Sequence, residues 1–404
     1  MQIDLALLIF ISTYALIAVG RPPVFRIDRT GAALIGAALM IVCNVLDVEA
    51  AYRAVDYNTI ILLFSLMIVV ANLRLSGFFG LASSYVMSHI SRPSTLLYAV
   101  IFLSGGLSAL FINDTVCLAF TPLALAVTVR SGLNPAPFLL ALCMSANIGS
   151  VATITGNPQN IMIGSFSGIG YARFSAKLLP VAVAGLVVCC LIIRLYYRDC
   201  FGRDKMVAGG ISHRIHRPLL VKSILTSAVM ITLFLAGLPM TPVAIGAAAY
   251  LLITRRIKPE KVYASIDWRL LVLFVGLFIV IEGVERSGLI MALLEAVGRE
   301  TAGHPFILVT AAAVLSNLVS NVPAVLLMKP VMASMPDPEN AWLLLAMSST
   351  LAGNLTILGS IANIIVVEGA RRRVRIGFLE YMKIGVPVTV ITLVIGTLWL
   401  HFGP

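Results

Sequence analysis

Four polar runs interrupt long apolar stretches, and they hold the residues whose types and spacing could do chemistry. Two are short: Asn113-Asp114-Thr115, and Ser320-Asn321-Val322-Pro323 with Asn317 a helical turn before it. Two are longer and mix hydroxyls and amides with helix breakers. The first holds Thr153, Thr155, Gly156, Asn157, Pro158 and Asn160; the second holds Asn354, Thr356, Gly359, Ser360 and Asn363. No nucleophile is paired with a general base, and the six cysteines show no ligand spacing, so neither an enzyme nor a metal centre is indicated. Amides and hydroxyls can instead hydrogen-bond a small polar solute or coordinate a cation. Gly and Pro enlarge that set, because interrupting a helix frees backbone N–H and C=O groups. Half-helix N-termini favour anions or polar oxygens, and C-terminal ends favour cations. In the shared spacing T-x-x-G-x-x-x-N, the Asn falls about one turn into the next half-helix, within reach of the break. The competing role for these Asn and Thr residues is to glue helices together.

Two carboxylates are candidates for proton coupling. Asp114 sits between apolar runs, where a carboxylate is costly unless paired or titrating. Proton coupling or ion coordination is the expected role, and bonding to its own hairpin backbone is the alternative. Glu282 falls late in an apolar segment, where it either titrates or lies at the membrane surface. Glu368, just before Arg371–Arg373, reads as an interfacial ion pair, and Lys329 as a snorkelling side chain.

The elements that position these residues follow from hydropathy. Of the 404 residues, 59% are hydrophobic and 12% charged, too little charge to cover a soluble core. The apolar stretches fall at 3–19, 31–47, 58–73, 95–129, 136–170, 172–197, 218–236, 241–254, 268–284, 304–335, 341–370 and 377–400. They are continuous rather than alternating, so they are helices and not barrel strands. The class is an all-α membrane protein with no soluble domain. The net charge of +11 collects in short loops, at Arg21–Arg29, Arg194–Arg217, Arg255–Lys261 and Arg371–Arg375. That pattern is an orientation signal rather than a nucleic-acid surface, and it places those loops in the cytoplasm. Cys43, Cys117, Cys143, Cys189, Cys190 and Cys200 read as small buried hydrophobes. Met1–Gly20 lacks a basic leader and a cleavage site, and is read as a retained first helix.

Parity then requires 95–129 and 304–335 to be re-entrant hairpins, the first opening to the cytoplasm and the second to the periplasm. The result is about ten crossings, two hairpins and both termini in the periplasm. Residues 77–91 and 287–303 are expected as interfacial helices.

The chain is a duplication. Asp56–Gly77 aligns without gaps to Asp267–Gly288, Leu107–Pro122 to Leu315–Pro330, and Met144–Ile161 to Met347–Ile364; Thr30–Val42 matches Thr241–Ile253 more loosely. The offset stays between 203 and 211 residues. Apolar composition does not explain the shared polar pairs Asp56/Asp267, Ser108/Ser316, Asn113/Asn321, Thr153/Thr356, Gly156/Gly359 and Asn160/Asn363. Asp114 has Val322 as its repeat partner, so the symmetric scaffold does not demand it. An odd number of crossings separates equivalent helices, so the halves are inverted. The expected division is an extra helix at 1–20, repeat 1 at 21–217 with its broken helix at 136–170, and repeat 2 at 218–404 with its broken helix at 341–370. Inverted repeats with discontinuous central helices are the architecture of secondary transporters.

At Gly149–Ser165 (GSVATITGNPQNIMIGS) and Leu110–Pro122 (LFINDTVCLAFTP) the sequence resembles the ion transporter superfamily, in its arsenite efflux permease and pink-eyed-dilution-type branch. The resemblance spans nearly the whole chain, although the second break carries GSIAN where many relatives have a proline-rich form. It implies a scaffold and a moving transport domain, a homodimer and an elevator mechanism. It also implies that Asn113, Asp114, Thr153–Asn160, Asn321 and Asn354–Asn363 lie at the binding site. The function expected first is proton-coupled export of arsenite and antimonite across the inner membrane. A neutral trihydroxide needs hydrogen-bond partners, and no Arg is embedded among these residues. Sodium- or proton-coupled transport of an anion and sodium/proton antiport are the alternatives. No cofactor beyond the coupling ion, H+ or Na+, is expected, and docking of an ATPase subunit on the cytoplasmic loops is left open.

Overall fold

The computed structural model describes residues 2–19, 27–88, 90, 92–201, 215–253, 257–288 and 304–403. Among these no strand occurs, and the order is α1 (Gln2–Val19), α2 (Arg29–Val42), α3 (Val48–Ala54), α4 (Tyr57–Ser76), α5 (Phe78–Ser88), α6 (Pro93–Leu110), α7 (Asn113–Arg130), α8 (Ala136–Ser150), α9 (Pro158–Ser167), α10 (Tyr171–Tyr196), α11 (Arg217–Leu235), α12 (Met240–Leu252), α13 (Pro259–Tyr263), α14 (Trp268–Arg286), α15 (Pro305–Val319), α16 (Asn321–Ala333), α17 (Pro338–Leu351), α18 (Ile361–Ala370) and α19 (Phe378–Phe402). Arg21, Arg26, Arg203, Lys205, Arg214, Arg255 and most of 287–303 lie outside the described residues.

Local chemistry sets the boundaries. Asp56 and Asp267, the shared acidic pair, are N-caps: Asp56 accepts from the Asn58 N–H and Asp267 from the Leu270 N–H. Each satisfies a donor that a helix start leaves orphaned. At the other end of α4, Gly77 takes the left-handed cap at φ 87°, and α5 begins at the next residue, filling most of 77–91. Five described helices, α4, α6, α10, α11 and α19, are long and apolar enough to cross a bilayer by length and composition. Several of the remainder are shorter because two paths are built from two pieces each, α8 with α9 and α17 with α18. The predicted hairpins are α6–α7, turning at Phe111–Ile112, and α15–α16, turning at Ser320.

Two packed groups emerge. In one, α2 packs on α1 and α14, and α4 on α11 and α12. In the other, α6 packs on α8, α15 on α17, α10 on α19, and α7 on both α8 and α18. Small residues permit the closest of these approaches: a Cβ at Gly149 of α8 would fall 2.0 Å from the Gly105 carbonyl oxygen of α6. Beside it Ser104 and Ser145 share a hydrogen bond of 2.6 Å. Such close backbone contact supplies dispersion where lipid offers no hydrophobic drive between helices. The groups meet where α4 touches α9, α14 touches α16 and α1 touches α15. Few polar bonds are seen across this seam among the described residues: Ser165 Oγ donates to Asp56 Oδ2 at 2.8 Å, and Tyr14 OH to the Pro323 carbonyl at 3.1 Å.

Candidate functional site

Both central helices break where the sequence requires. After α8 the chain runs through Val151–Asn157, with a single 3-10 turn at Ile154–Gly156, before α9 begins. After α17 it runs through 3-10 turns at Ala352–Asn354 and Ile357–Gly359 before α18. The glycines are required by close approach: a Cβ on Gly156 would lie 2.2 Å from the Ser150 carbonyl oxygen, and one on Gly359 would lie 2.9 Å from that of Gly353.

The Asn residues at the spacing shared by both halves, Asn160 and Asn363, reach back as expected and clamp the breaks. Asn160 Nδ2 donates to the carbonyls of Ser150 and Thr153, both at 3.0 Å. Asn363 Nδ2 donates to those of Gly353 at 2.7 Å and Thr356 at 3.0 Å, the same bonds shifted by one repeat. These side chains satisfy carbonyls that the interruption orphaned. Thr153 Oγ1 donates to the Ala109 carbonyl and Thr155 Oγ1 to that of Leu110 at 3.4 Å, tying the first break to its hairpin arm. In the second half Asn317 Nδ2 donates to the Ala352 carbonyl at 2.9 Å, and its Oδ1 accepts from Thr356 Oγ1 at 3.2 Å.

Across the centre, each half reaches into the other through residues that the sequence reading missed. Asn147 of α8 is a buried hub. Its Oδ1 accepts from Asn113 Nδ2 at 2.9 Å and Ser360 Oγ at 3.0 Å, and its Nδ2 donates to Asn354 Oδ1 at 2.8 Å and Asn363 Oδ1 at 3.0 Å. Its repeat partner Thr350 does the converse, accepting at Oγ1 from Asn157 Nδ2 and Gln159 Nε2, both at 3.2 Å. With its amide turned to satisfy its neighbours, Asn321 accepts from Gln159 at 3.3 Å and donates to the Gly359 carbonyl at 3.2 Å. The available signal was a polar residue one turn before each break, at matched places in the aligned segments.

Four helix N-termini converge here. Asn113 of α7, Asn321 of α16, Pro158 of α9 and Ile361 of α18 all line one cavity of about 30 Å³, together with Asp114, Gln159, Ser320, Val322 and Ser360. That volume holds about one or two waters. No Lys or Arg is among the described lining residues. Ser320, at the turn of the second hairpin, has φ 81° and ψ 158°, a region that only glycine enters without strain.

The capping differs between halves. In the first, Asn157 caps α9 by accepting from the Asn160 N–H at 2.8 Å. In the second, Ser360 makes no side-chain cap bond to α18. Asp114, from the opposite half, lines the cavity beside Ser360 and Ile361 at the start of α18. Asp114 also lines a second cavity of about 160 Å³, together with Arg74, Thr115, Ser265, Asp267 and Ile361. At that cavity Arg74 Nη2 donates to Ser265 Oγ at 2.8 Å.

Glu282 is not brought to this cluster. It accepts from Arg286 Nε at 2.7 Å, one turn along α14. Glu368 pairs with Arg371 at 3.2 Å, and Lys329 lies 5.1 Å over the ring of Phe166.

The citrate transporter family (CitMHS) matches residues 14–352. A 46 kDa membrane protein of Mycobacterium leprae is 31% identical over 98% of both chains. The silicon efflux transporter LSI3 of Oryza sativa is 32% identical over 93% of this chain and 92% of its own. The putative transporter arsB of Dictyostelium discoideum is 27% identical over 92% of this chain and 86% of its own. The YdaH transporter of Alcanivorax borkumensis shares the fold at a TM-score of 0.62, with 14% identity and 100% and 99% of the two chains covered. Paired helix breaks, two facing hairpin tips and this kinship agree: the chain is a secondary transporter and belongs to the citrate transporter family, within the ion transporter superfamily.

Proposed function

We propose that the protein exports a neutral metalloid hydroxide, arsenite or antimonite, in exchange for protons. The observation that carries this reading is the lining of the central cavity, which has amides, hydroxyls, helix N-termini and one carboxylate but no Lys or Arg among its described residues. Such a lining offers hydrogen bonds to the hydroxyls of an uncharged solute, and Asp114 offers one place for a proton. Relatives named for silicon efflux and as arsB support a small polyhydroxylated inorganic cargo. The cavity is too small for the solute as it stands, so the hairpin tips must part, or the second packed group must slide past the first in an elevator motion. The thin polar seam between the groups supports sliding. With the basic loops in the cytoplasm of an inner-membrane protein, the larger cavity at Arg74 and Ser265 faces the cytoplasm.

The test is arsenite movement in proteoliposomes under an imposed proton gradient. Gradient-driven accumulation is expected for the wild type, and none for Asp114→Asn at matched reconstitution. Full gradient-driven transport by that variant would remove the coupling role. A second reading, transport of a carboxylate anion with H+ or Na+, is favoured by the four converging N-termini and by the family's citrate description. Citrate movement without arsenite movement in the same vesicles would install it.

A further inference from the structure

We propose that Asp114 is a built-in counter-anion that sets the charge class of the solute, excluding anions that the rest of the site is constructed to hold. This rests on the central cavity being the transport site, as above.

Each of the four helices ending at that cavity is ten residues or longer. Each presents the positive end of its macrodipole, equivalent to about half an elementary charge. Four such ends around about 30 Å³ would by themselves make an anion site. The chain places its own anion there. Asp114 lines the cavity beside Ile361 at the start of α18, the half-helix whose N-cap side chain bonds elsewhere, Ser360 Oγ going to Asn147. The equivalent position in the other half is Val322, also at the cavity, so the carboxylate is not a scaffold requirement. The other charged groups at the adjoining cavity, which Asp114 also lines, are one acid and one base, Asp267 and Arg74, which together add no net formal charge. Asp267 Oδ1 accepts from the Leu270 N–H, and Arg74 donates to Ser265. With Asp114 ionised, the four dipole ends are offset and an uncharged polyhydroxide is the fitting guest. With the charge removed, an oxyanion becomes the better one.

Arsenite and arsenate make a matched pair of probes, one neutral and one anionic at pH 7. Ligand-induced thermal stabilisation of the purified protein in nanodiscs reads binding without requiring turnover. Arsenite is expected to stabilise the wild type and arsenate not to. In Asp114→Asn, arsenate should stabilise at a concentration at least about tenfold lower than in the wild type. Asp114→Glu, which keeps the charge, should still exclude arsenate. The double variant Asp114→Asn/Val322→Asp, which moves the charge to the repeat-equivalent position, should exclude arsenate again. The proposal is overturned if arsenate acts alike on the wild type and Asp114→Asn, or if the double variant binds arsenate as Asp114→Asn does. Should arsenite stabilise no variant while arsenate still separates them, the metalloid reading fails and the charge-selecting role stands. If Asp114→Asn does not fold, Asp114→Ser provides the uncharged arm, and the same two outcomes decide.

Discussion

Asn147 holds four partners with a single buried amide, and they come from three elements: the first hairpin tip, the second break and the start of α18. Truncation in Asn147→Ala would leave buried donors and acceptors unpaired, at about 1–3 kcal/mol for each group that finds no new partner. The expected outcome is a lower unfolding midpoint in detergent and loss of transport together. Unchanged melting would mean that water or a shifted neighbour replaces the amide. Ser320 makes the opposite case. Its backbone sits at φ 81° and ψ 158° at the cavity edge. Ser320→Gly should raise stability by about 1–3 kcal/mol by relieving strain, less the entropy a glycine adds to the unfolded chain. If the strain serves to hold the tip in place, transport falls while the midpoint rises, and measuring both separates the two effects. The reach of Asn160 and Asn363 back to their breaks was legible in their spacing. The hub role of Asn147 was not, because four-way coordination depends on which helices meet.

Breaks and hairpins are the elements on which the site depends, and the two breaks are not equally tolerant. A methyl at Gly156 would strike backbone, the Ser150 carbonyl at 2.2 Å. At Gly359 the first obstacle is the Asn317 side chain at 2.8 Å, with the Gly353 carbonyl at 2.9 Å behind it. Gly156→Ala is therefore expected to abolish folded, monodisperse protein on size-exclusion chromatography. Gly359→Ala should fold and transport more slowly, since its nearest backbone obstacle lies at 2.9 Å rather than 2.2 Å and the Asn317 side chain can swing aside. Equal behaviour of the two variants would count against close packing as the reason for these glycines. The breaks and hairpin turns could be placed from Gly, Pro and parity because helix interruption is a local property. That α18 lacks a side-chain cap, because Ser360 Oγ turns to Asn147 of the other half, could not, since a partner in trans leaves no mark on the helix itself.

At the scale of the molecule, two packed groups share a seam crossed by few polar bonds, among them Ser165 to Asp56. If transport requires sliding along that seam, a disulfide there must stop it. In a cysteine-free background, Asp56→Cys/Ser165→Cys should cross-link on oxidation, transport should cease, and reductant should restore it. A cross-linked protein that still transports at full rate would show that the seam does not move. The arrangement also accounts for the number of helices that can span a membrane by themselves. Continuous spans are separate sequence objects, whereas the central paths exist only as α8 with α9 and α17 with α18.

Class, order of segments, duplication, the places where helices stop and the polar residues at those places are all readable along the chain. All of these follow from hydropathy, parity and local backbone preferences, which act along the chain. Which half supplies which partner is set only when the chain folds. Asn147 serves the second break, and Thr350 serves the first. Those pairings join residues more than 190 positions apart in the chain. They exist because two inverted units close on each other, and no periodicity or spacing within either unit encodes the face it will meet.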